Sequence, residues 1–295
     1  MPLLHVIILA IIQGLAELLP VSSSAHVVVA EKLMGMDPTA PAMTLLLVML
    51  HTGTMFAVIV YFWRQWSRTY FRSVENFKTV LVQLIAASFV TAVIGYGLIK
   101  IIEKFVLHGQ HAQVEQLFGR LDLIAPALAA VGILILIAGL RHSRKQATGA
   151  AEPAEHASSS SGLDMRQAGW IGAIQGLCLP FRGFSRSGAT ISTGMLMGVA
   201  KSRAEEFSFA LAVILTPPAI AREVWRLAKA RHLAGAAPIA SAMMPSLLGM
   251  VFAFLAGLVA LKWLSRWLES GRWYWFGVYC LFAAVVVEYL HHVGY

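Results

Sequence analysis

Six long apolar runs constrain the fold of this chain more than any other feature of its sequence. A helix needs about 20 apolar residues to cross a hydrocarbon core of about 30 Å, and the runs have about that length. Only 13% of the residues are charged, whereas soluble chains average about one quarter. The sequence therefore predicts an all-α integral membrane protein. Its six transmembrane helices are expected at about 42–62, 80–101, 122–140, 206–222, 242–263 and 273–292.

Two more apolar regions are interrupted by polar turns. The first covers about 3–35 and is broken at residues 19–24, and the second covers about 166–199 and is broken at residues 180–188. Each half of an interrupted region is too short to span a bilayer. Because irregular backbone at membrane depth is tolerated only inside protein or along a wet cavity, we predict two re-entrant helix hairpins.

The two interrupted regions also resemble each other in sequence. Ile-Gln-Gly-Leu at residues 12–15 recurs at 174–177, and in both copies a proline and a serine-rich turn follow. Interrupted segments at matching positions of two halves indicate an inverted-topology repeat, and three crossings after the first hairpin would invert the second half. We therefore predict a first half at 1–145, a polar linker at 146–165 and a second half at 166–295.

The net charge of +8 comes mostly from basic residues between the apolar runs. Because cytoplasmic loops retain Lys and Arg, the more basic face is predicted to be cytoplasmic and both termini are predicted to lie outside. This topological explanation makes nucleic acid an unexpected partner. The stretch 146–162 contains a run of four serines and has nothing to bury, so disorder is expected there. The basic loops are those at 63–79, 141–166, 200–205 and 264–272.

The first hairpin carries ionisable groups, which are costly inside a membrane and are therefore candidate functional residues. Gln13 and Glu17 share one helix face at i, i+4 spacing, and serines 22–24 and His26 follow. A carboxylate, hydroxyls and an imidazole can supply a base, a nucleophile and an acid. The alternative is a packed polar hairpin whose serines cap the next helix. We favour function for Glu17 and His26 together, and capping for the first or last serine alone.

The second hairpin combines hydroxyls, guanidinium groups and glycines at its break. Glycine lets backbone approach a ligand closely, and hydroxyls, helix-start amides and an arginine fork together form an anion site. The alternative is an arginine that pairs with a carboxylate of the other half. Both interpretations hold if Arg186 pairs with Glu17 until a phosphate binds. The residues concerned are Arg182, Gly183, Ser185, Arg186, Ser187, Gly188 and Thr190.

Polar residues at the start of two crossings are further candidates. One group is His51, Thr52 and Thr54, for which lining a cavity and ordinary packing have equal weight. The other group is Glu205, Glu206 and Ser208. Acidic residues in a first turn commonly offset the helix dipole, and facing the site is the alternative for this group.

At its two hairpins the sequence resembles the undecaprenyl-diphosphatase family. Residues 13–26 are similar to that family's first motif and residues 183–190 to its second. Residues 194–198 and 206–209 continue the resemblance, which covers nearly the whole chain.

Two positions depart from the family's pattern. Gln13 stands where the first motif often has an acid, which weakens a metal site built on two carboxylates. Arg182 stands where the second motif usually begins with proline, and it either adds a phosphate contact or faces lipid headgroups.

The resemblance implies hydrolysis of undecaprenyl diphosphate to undecaprenyl phosphate and inorganic phosphate. This reaction recycles the lipid carrier for peptidoglycan and other envelope polymers and confers bacitracin resistance. The resemblance also implies the bacterial inner (plasma) membrane, a site open to the periplasmic side, and a divalent cation, Mg²⁺ or Ca²⁺, with Glu17 as its candidate ligand. The expected partners are the polyprenyl diphosphate lipid and membrane lipids, and a homodimer is allowed for.

Residue roles can be assigned within this expected reaction. Arg186 is expected to clamp the diphosphate, while Ser23 attacks the terminal phosphorus or orients a water that does. Glu17 and His26 are expected to handle protons, and the spacing leaves Ser23, His26 and water open as the nucleophile. Phosphoryl transfer depends mainly on positioning and charge stabilisation, so a compact set suffices. Further substrate contacts are expected from Gln13, Ser22, Gly183, Ser185, Ser187 and Thr190.

A transporter is the competing class, because inverted repeats with broken helices are also transporter architecture. An anion transporter, or a flippase of the same lipid, would use Arg186 to hold its substrate in transit. Release of phosphate by the purified protein separates the enzyme from these alternatives.

Overall fold

The computed structural model describes residues 2–36, 41–105, 117, 119–147, 162–234, 237–269 and 272–295. Within that part of the chain the long regular elements are all α-helices, which confirms the predicted fold class. The ten helices are α1 (Leu3–Leu18), α2 (Ser23–Leu33), α3 (Pro41–Thr69), α4 (Val74–Phe105), α5 (Leu121–Ala147), α6 (Met165–Cys178), α7 (Arg186–Leu196), α8 (Lys201–Ala234), α9 (Ala237–Glu269) and α10 (Tyr274–His292).

Six of the described helices, α3, α4, α5, α8, α9 and α10, are long and apolar enough to cross a membrane. Each coincides with one of the predicted crossings, so the prediction of six transmembrane helices is confirmed. The chain is therefore a multi-pass membrane protein. The predicted linker at 146–165 falls mainly on residues 148–161, which lie outside the described residues. Its expected disorder stays a prediction.

The other four helices form two short pairs, α1 with α2 and α6 with α7, at the positions predicted for the hairpins. The first pair is interrupted where Leu19 adopts extended backbone, with φ −76° and ψ 151°. Pro20 follows and lacks the N–H that a helix would need there. The second pair is interrupted over residues 179–185. Both helix–break–helix forms agree with the sequence, and their re-entrant placement in a bilayer stays a prediction.

The chain divides into two compact units that are not contiguous in sequence. The first unit comprises Met1–Leu19, Ser23–Tyr61 and Ala212–Leu264. The second unit comprises Pro20–Ser22, Phe62–Leu211 and Ser265–Tyr295. Each unit thus takes segments from both sides of the predicted linker. The assignment of residues 1–145 and 166–295 as repeat halves concerns sequence symmetry, and it stays a prediction.

In the first unit, α1 packs closely against α9. A Cβ atom built on Gly14 would lie 2.5 Å from the Cβ of Ala256 and 2.7 Å from the carbonyl oxygen of Ala253. Small residues allow this close approach of membrane helices, so a larger residue at position 14 would separate the two helices. The buried core beside this contact contains Val6, Leu9, Ala10, Val27, Met43, Leu46, Leu50 and Ala253.

In the second unit, polar side chains of α4 hold α6. Thr91 Oγ1 lies 2.8 Å from the carbonyl oxygen of Gly172, and Gln83 Nε2 donates to the carbonyl of Leu163 at 2.8 Å. Hydrogen bonds of this kind stabilise helix pairs in membranes. They fix α6, which leads directly into the break before α7.

Candidate functional site

Gln13 and Glu17 lie on one face of α1, as their spacing predicts. Gln13 is only 1% exposed, and its Nε2 donates a hydrogen bond to Glu17 Oε2 at 3.2 Å. A buried polar group is stable only when it is hydrogen-bonded. The amide of Gln13 therefore holds one oxygen of the carboxylate in place.

Ser23 begins α2 and reaches the same carboxylate oxygen. Its Oγ donates to Glu17 Oε2 at 2.5 Å, a length typical of a strong bond between a hydroxyl and an ionised carboxylate. This contact crosses the break of the first hairpin and lies within the first unit. The carboxylate is placed to take a proton from the hydroxyl, which is the relationship of a general base to a nucleophile.

His51 of α3 also faces Glu17. Its Nε2 lies 3.8 Å from Glu17 Oε2, and its Nδ1 lies 2.7 Å from the carbonyl oxygen of Leu47. Because a carbonyl oxygen only accepts hydrogen bonds, Nδ1 must carry a hydrogen. The other ring nitrogen is thus the one presented to the carboxylate. From the sequence alone, packing and cavity lining carry equal weight here, since spacing along the chain does not show contacts between separate helices.

Two other predicted residues of the first hairpin have different surroundings. His26 is half-buried in α2, three residues after Ser23, so both lie within one turn of the same helix. Ser22 is buried and has a φ of 68°. A residue other than glycine held in this left-handed region costs about 1–3 kcal/mol and is typical of functional sites. Their predicted roles in catalysis and substrate binding stay predictions.

The start of α7 has the construction of an anion site. Ser185 is its N-cap, and the Ser185 Oγ accepts a hydrogen bond from the amide of Gly188 at 3.2 Å. Ser187 Oγ lies 3.5 Å from Ser185 Oγ, and Arg186 is the first residue of the helix. Helix-start amides carry partial positive charge and favour anions. The predicted Ser-Arg-Ser group is thus assembled on one helical turn.

Thr190 lies one turn further along α7 and is fully buried. Its Oγ1 donates to the carbonyl oxygen of Arg186 at 2.8 Å and lies 2.6 Å from Ser208 Oγ of α8. Ser208 had been only a secondary candidate in the sequence. The sequence Phe-Ser-Phe at 207–209 does not indicate that the Ser208 hydroxyl contacts Thr190.

Gly183 has a φ of 99°, which side chains rarely allow. A Cβ atom on it would also lie 2.5 Å from the carbonyl oxygen of Ile124 in α5. The position therefore requires glycine because of the turn and its packing against α5. The predicted close approach of Gly183 to a ligand stays a prediction.

The start of α7 also packs against the proline of the first break within the second unit. A Cβ atom on Gly188 would lie 3.3 Å from the Cβ of Pro20. Cys280 Sγ of α10 donates to the carbonyl oxygen of Pro20 at 3.4 Å. In the sequence, Pro20 stands three positions after Glu17 and three before Ser23.

The acidic residues that open α8 have partners in the second unit. Glu206 accepts hydrogen bonds from Gln65 Nε2 and from Arg203 Nη1, the latter at 3.2 Å. Glu205 accepts a hydrogen bond from Ser265 Oγ at 3.4 Å. Burial and the negative charge of Glu206 raise the pKa of nearby Tyr70 above its ordinary value. These contacts join α8 to the ends of α3 and α9.

Among the described residues, no group of three or more His, Cys, Asp and Glu side chains could hold a metal ion. Glu17 nevertheless offers a carboxylate, while Gln13 directs its amide nitrogen to that carboxylate. Mg²⁺ is commonly held by one or two carboxylates together with water and substrate phosphates. This donor set fits a cation that is bound together with a diphosphate.

Residues 6–286 match the family described as bacitracin resistance protein BacA. The chain is 56% identical over 292 residues to undecaprenyl-diphosphatase 2 of Acinetobacter baylyi, covering 97% of this chain and 98% of the relative. It is 33% identical over 292 residues to undecaprenyl-diphosphatase of Desulfosudis oleivorans, covering 93% of each. It is 32% identical over 296 residues to undecaprenyl-diphosphatase 2 of Burkholderia ambifaria, covering 97% of this chain and 95% of the relative.

Proposed function

The chain belongs to the bacitracin resistance protein BacA family, and from this we propose that it hydrolyses undecaprenyl diphosphate to undecaprenyl phosphate and inorganic phosphate. The observation that carries the proposal beyond the family is the 2.5 Å hydrogen bond from Ser23 to Glu17. A hydroxyl bonded to a carboxylate inside a membrane protein is suited to attack a phosphoric anhydride. The product would return the lipid carrier to the synthesis of peptidoglycan, and this recycling would confer bacitracin resistance.

Arg186 is proposed to clamp the diphosphate. Its place on the first turn of α7, between the buried hydroxyls of Ser185 and Ser187, supports this role. Arginine binds phosphate oxygens through a planar fork of donors, and charge stabilisation dominates phosphoryl transfer. The arginine and the Ser23–Glu17 pair are proposed to act on one substrate, and the family membership supports this.

The proposed chemistry has two steps. In the first, Ser23 Oγ gives its proton to Glu17 and forms a bond to the terminal phosphorus, while the bond from that phosphorus to the bridging oxygen breaks. Undecaprenyl phosphate leaves with the electron pair. In the second, the oxygen of a water forms a bond to the phosphoserine phosphorus while the bond from phosphorus to Ser23 Oγ breaks. Glu17 returns the proton to Oγ, and inorganic phosphate leaves with the oxygen and protons of the water. The hydrogen bond favours Ser23 over His26 as the nucleophile, and His26 is proposed to assist proton transfer.

A divalent cation, Mg²⁺ or Ca²⁺, is proposed to be held by Glu17 together with the substrate phosphates, with Gln13 holding the carboxylate in place. When bound it would neutralise charge on the diphosphate. The predicted orientation, with the site open to the periplasm of the bacterial inner membrane, remains part of this proposal, as does the homodimer. The orientation rests on the basic loops and the resemblance, and neither it nor the homodimer enters the chemistry above.

Phosphate release from undecaprenyl diphosphate by the purified protein in detergent tests the proposal. We expect turnover with Mg²⁺ or Ca²⁺ and its loss with a chelator, together with a phosphoserine at position 23 in rapidly quenched samples. Arg186→Ala should reduce kcat/KM at least about 100-fold, while Thr79→Val, at a threonine whose hydroxyl bonds the carbonyl of Glu75 near the exposed start of α4, should not. If neither metal supports phosphate release, the proposed enzymatic function is wrong and a transporter or flippase is the remaining function. If a phosphohistidine forms at His26, His26 rather than Ser23 is the nucleophile.

A further inference from the structure

A chain of hydroxyl groups leads from α8 to the backbone of Arg186. Thr190 Oγ1 lies 2.8 Å from the carbonyl oxygen of Arg186 and 2.6 Å from Ser208 Oγ. A hydroxyl has one hydrogen to donate and lone pairs to accept others. Because the carbonyl can only accept, the hydrogen of Thr190 goes to Arg186. With that hydrogen directed to the carbonyl, Ser208 is the donor in the shorter contact. The carbonyl oxygen of Ser187, at 3.4 Å from Thr190 Oγ1, is a more distant second acceptor.

Burial keeps water from competing for these two hydroxyls. Thr190 is 0% exposed and Ser208 is 2% exposed, so bulk water does not reach either hydroxyl. If Ser208 were lost, Thr190 would have to do without its donor, and its single hydrogen would be held less firmly toward Arg186. The hydrogen-bond direction thus runs from Ser208 to Thr190 to the carbonyl of Arg186.

The two ends of this chain are themselves held in place. At the Arg186 end, the Ser185 cap fixes the amide of Gly188 in the same first turn of α7. At the Ser208 end, Glu206 binds Arg203 and Gln65, which anchors the start of α8. The backbone of a helical turn sets the direction in which its Cβ atoms point. Because the first turn of α7 is held at both ends, it fixes the direction of the Arg186 side chain.

We propose that Ser208 is a positioning residue that, through Thr190, aims Arg186 at the diphosphate. The inference rests on the proposed function, because it presumes that Arg186 clamps the substrate. It gives the hydroxyl of Thr190 a role in holding Arg186, and it assigns to α8 a part in substrate recognition. Misplacement of a catalytic group by about 1 Å can lower a rate about 100-fold, so a lost hydrogen bond in this chain should be visible in turnover.

The test is a set of variants assayed for phosphate release and for thermal unfolding in detergent. Ser208→Ala should lower kcat about tenfold, while KM changes less than about twofold, because the arginine acts mainly on transition-state charge. Thr190→Val, which keeps the shape and removes the hydroxyl, should do the same. If Ser208 acts through Thr190, the double variant should be no slower than Thr190→Val alone.

Ser192→Ala is the matched control. Ser192 is also fully buried on α7, and its Oγ accepts a hydrogen bond from Trp273 Nε1 at 3.0 Å, on the next turn away from Arg186. This variant should lower the unfolding temperature and leave kcat and KM unchanged. An equal loss of kcat in Ser192→Ala would show that any weakening of α7 suffices, and would overturn the specific role of Ser208.

Each remaining outcome has a defined meaning. Wild-type kcat in folded Ser208→Ala, or a multiplicative loss in the double variant, would overturn the inference and leave the proposed function intact. If Ser208→Ala does not fold, Thr190→Val breaks the same chain at its middle, and wild-type kcat in that variant would equally overturn it. A wild-type protein that releases no phosphate would instead contradict the proposed function.

Discussion

His51 Nε2 faces Glu17 Oε2 at 3.8 Å, while the carbonyl of Leu47 holds Nδ1 of the same ring at 2.7 Å. The carbonyl fixes the ring orientation, so the edge that meets the carboxylate does not depend on a flexible side chain. The distance is longer than a hydrogen bond, and Nε2 attracts the carboxylate when it also carries a hydrogen, because the hydrogen on Nδ1 is directed to the Leu47 carbonyl. The imidazole side chain is 43% exposed, whereas that of Glu17 is 15% exposed, so the ring is the more accessible of the two.

Replacement of His51 should therefore test whether the ring, with hydrogen on both nitrogens, donates to Glu17. His51→Gln keeps a side-chain N–H and should retain activity within about threefold, whereas His51→Leu should lower kcat about tenfold. Phosphate release measures both. Thr52→Val is the control, because the hydroxyl of Thr52 bonds the carbonyl of Val48 in its own helix. Equal rates in the leucine and wild-type proteins would exclude the role.

Glu17→Gln should abolish the base while preserving much of the local structure. The glutamine can still accept a hydrogen bond from Ser23, but it cannot take its proton, so kcat should fall at least about 100-fold. The unfolding temperature should change little. Glu31→Gln, at a fully buried carboxylate of α2 in the same unit, controls for the loss of a buried charge. Near-wild-type turnover of Glu17→Gln would remove Glu17 as the base.

Tyr70→Phe should stabilise the protein. Tyr70 is 4% exposed, and its hydroxyl has no hydrogen-bond partner among the residues that the structure describes. A buried, unpaired hydroxyl costs about 1–3 kcal/mol, so its removal should raise the unfolding temperature. Tyr289→Phe, at an exposed tyrosine, should leave it unchanged. A lower unfolding temperature in Tyr70→Phe would reveal a partner for this hydroxyl.

The same tyrosine predicts a dependence of stability on alkaline pH. Burial and the charge of Glu206 raise the pKa of Tyr70 in the folded protein, so the folded state keeps its proton when an unfolded chain would lose it. Stability should therefore be unaffected below the ordinary tyrosine pKa of about 10 and should fall as the pH rises above it. The contribution of Tyr70 is the part of this loss that disappears in Tyr70→Phe. An identical pH dependence in both proteins would contradict it.

Gly183→Ala should destabilise the second unit and lower activity. The φ of 99° and the 2.5 Å distance from a built Cβ to the Ile124 carbonyl oxygen both oppose a side chain, and the cost should be at least about 1 kcal/mol. Gly169→Ala is the matched control, since a Cβ there meets nothing within 4 Å inside α6. That change should stabilise by up to about 1 kcal/mol. Thermal unfolding measures the stability of both variants. Equal effects on stability would contradict the conclusion that position 183 requires glycine.

The sequence predicted the helical class and the six crossings because apolar length is a local property that a bilayer enforces. It also predicted the pairing of Gln13 with Glu17, since i, i+4 spacing brings two side chains together on any helix. The glycine of each Ile-Gln-Gly-Leu copy now has a physical reason. Gly14 allows contact with α9, and Gly176 leaves its Cβ position 3.0 Å from the Thr91 carbonyl oxygen of α4.

Contacts between distant helices could not be predicted in the same way. The positions of His51 beside Glu17 and of Ser208 beside Thr190 depend on how helices pack, and no periodicity within one helix encodes that. Nor does the sequence distinguish the three serines of the first break. The structure does so, because Ser23 begins a helix and bonds Glu17, whereas Ser22 occupies the strained left-handed turn.

The interleaving of the two compact units has a consequence for biogenesis. The first unit needs residues up to Leu264, and the second needs residues up to Tyr295. A growing chain therefore inserts its early transmembrane helices long before either unit can be completed. Until then, the packing surfaces of those helices contact lipid. Release of a chain stopped after α9 would leave α5 without α10, its extensive packing partner. Quality control of this protein should accordingly act after α10 has been inserted, and a nascent chain should remain sensitive to proteases until then.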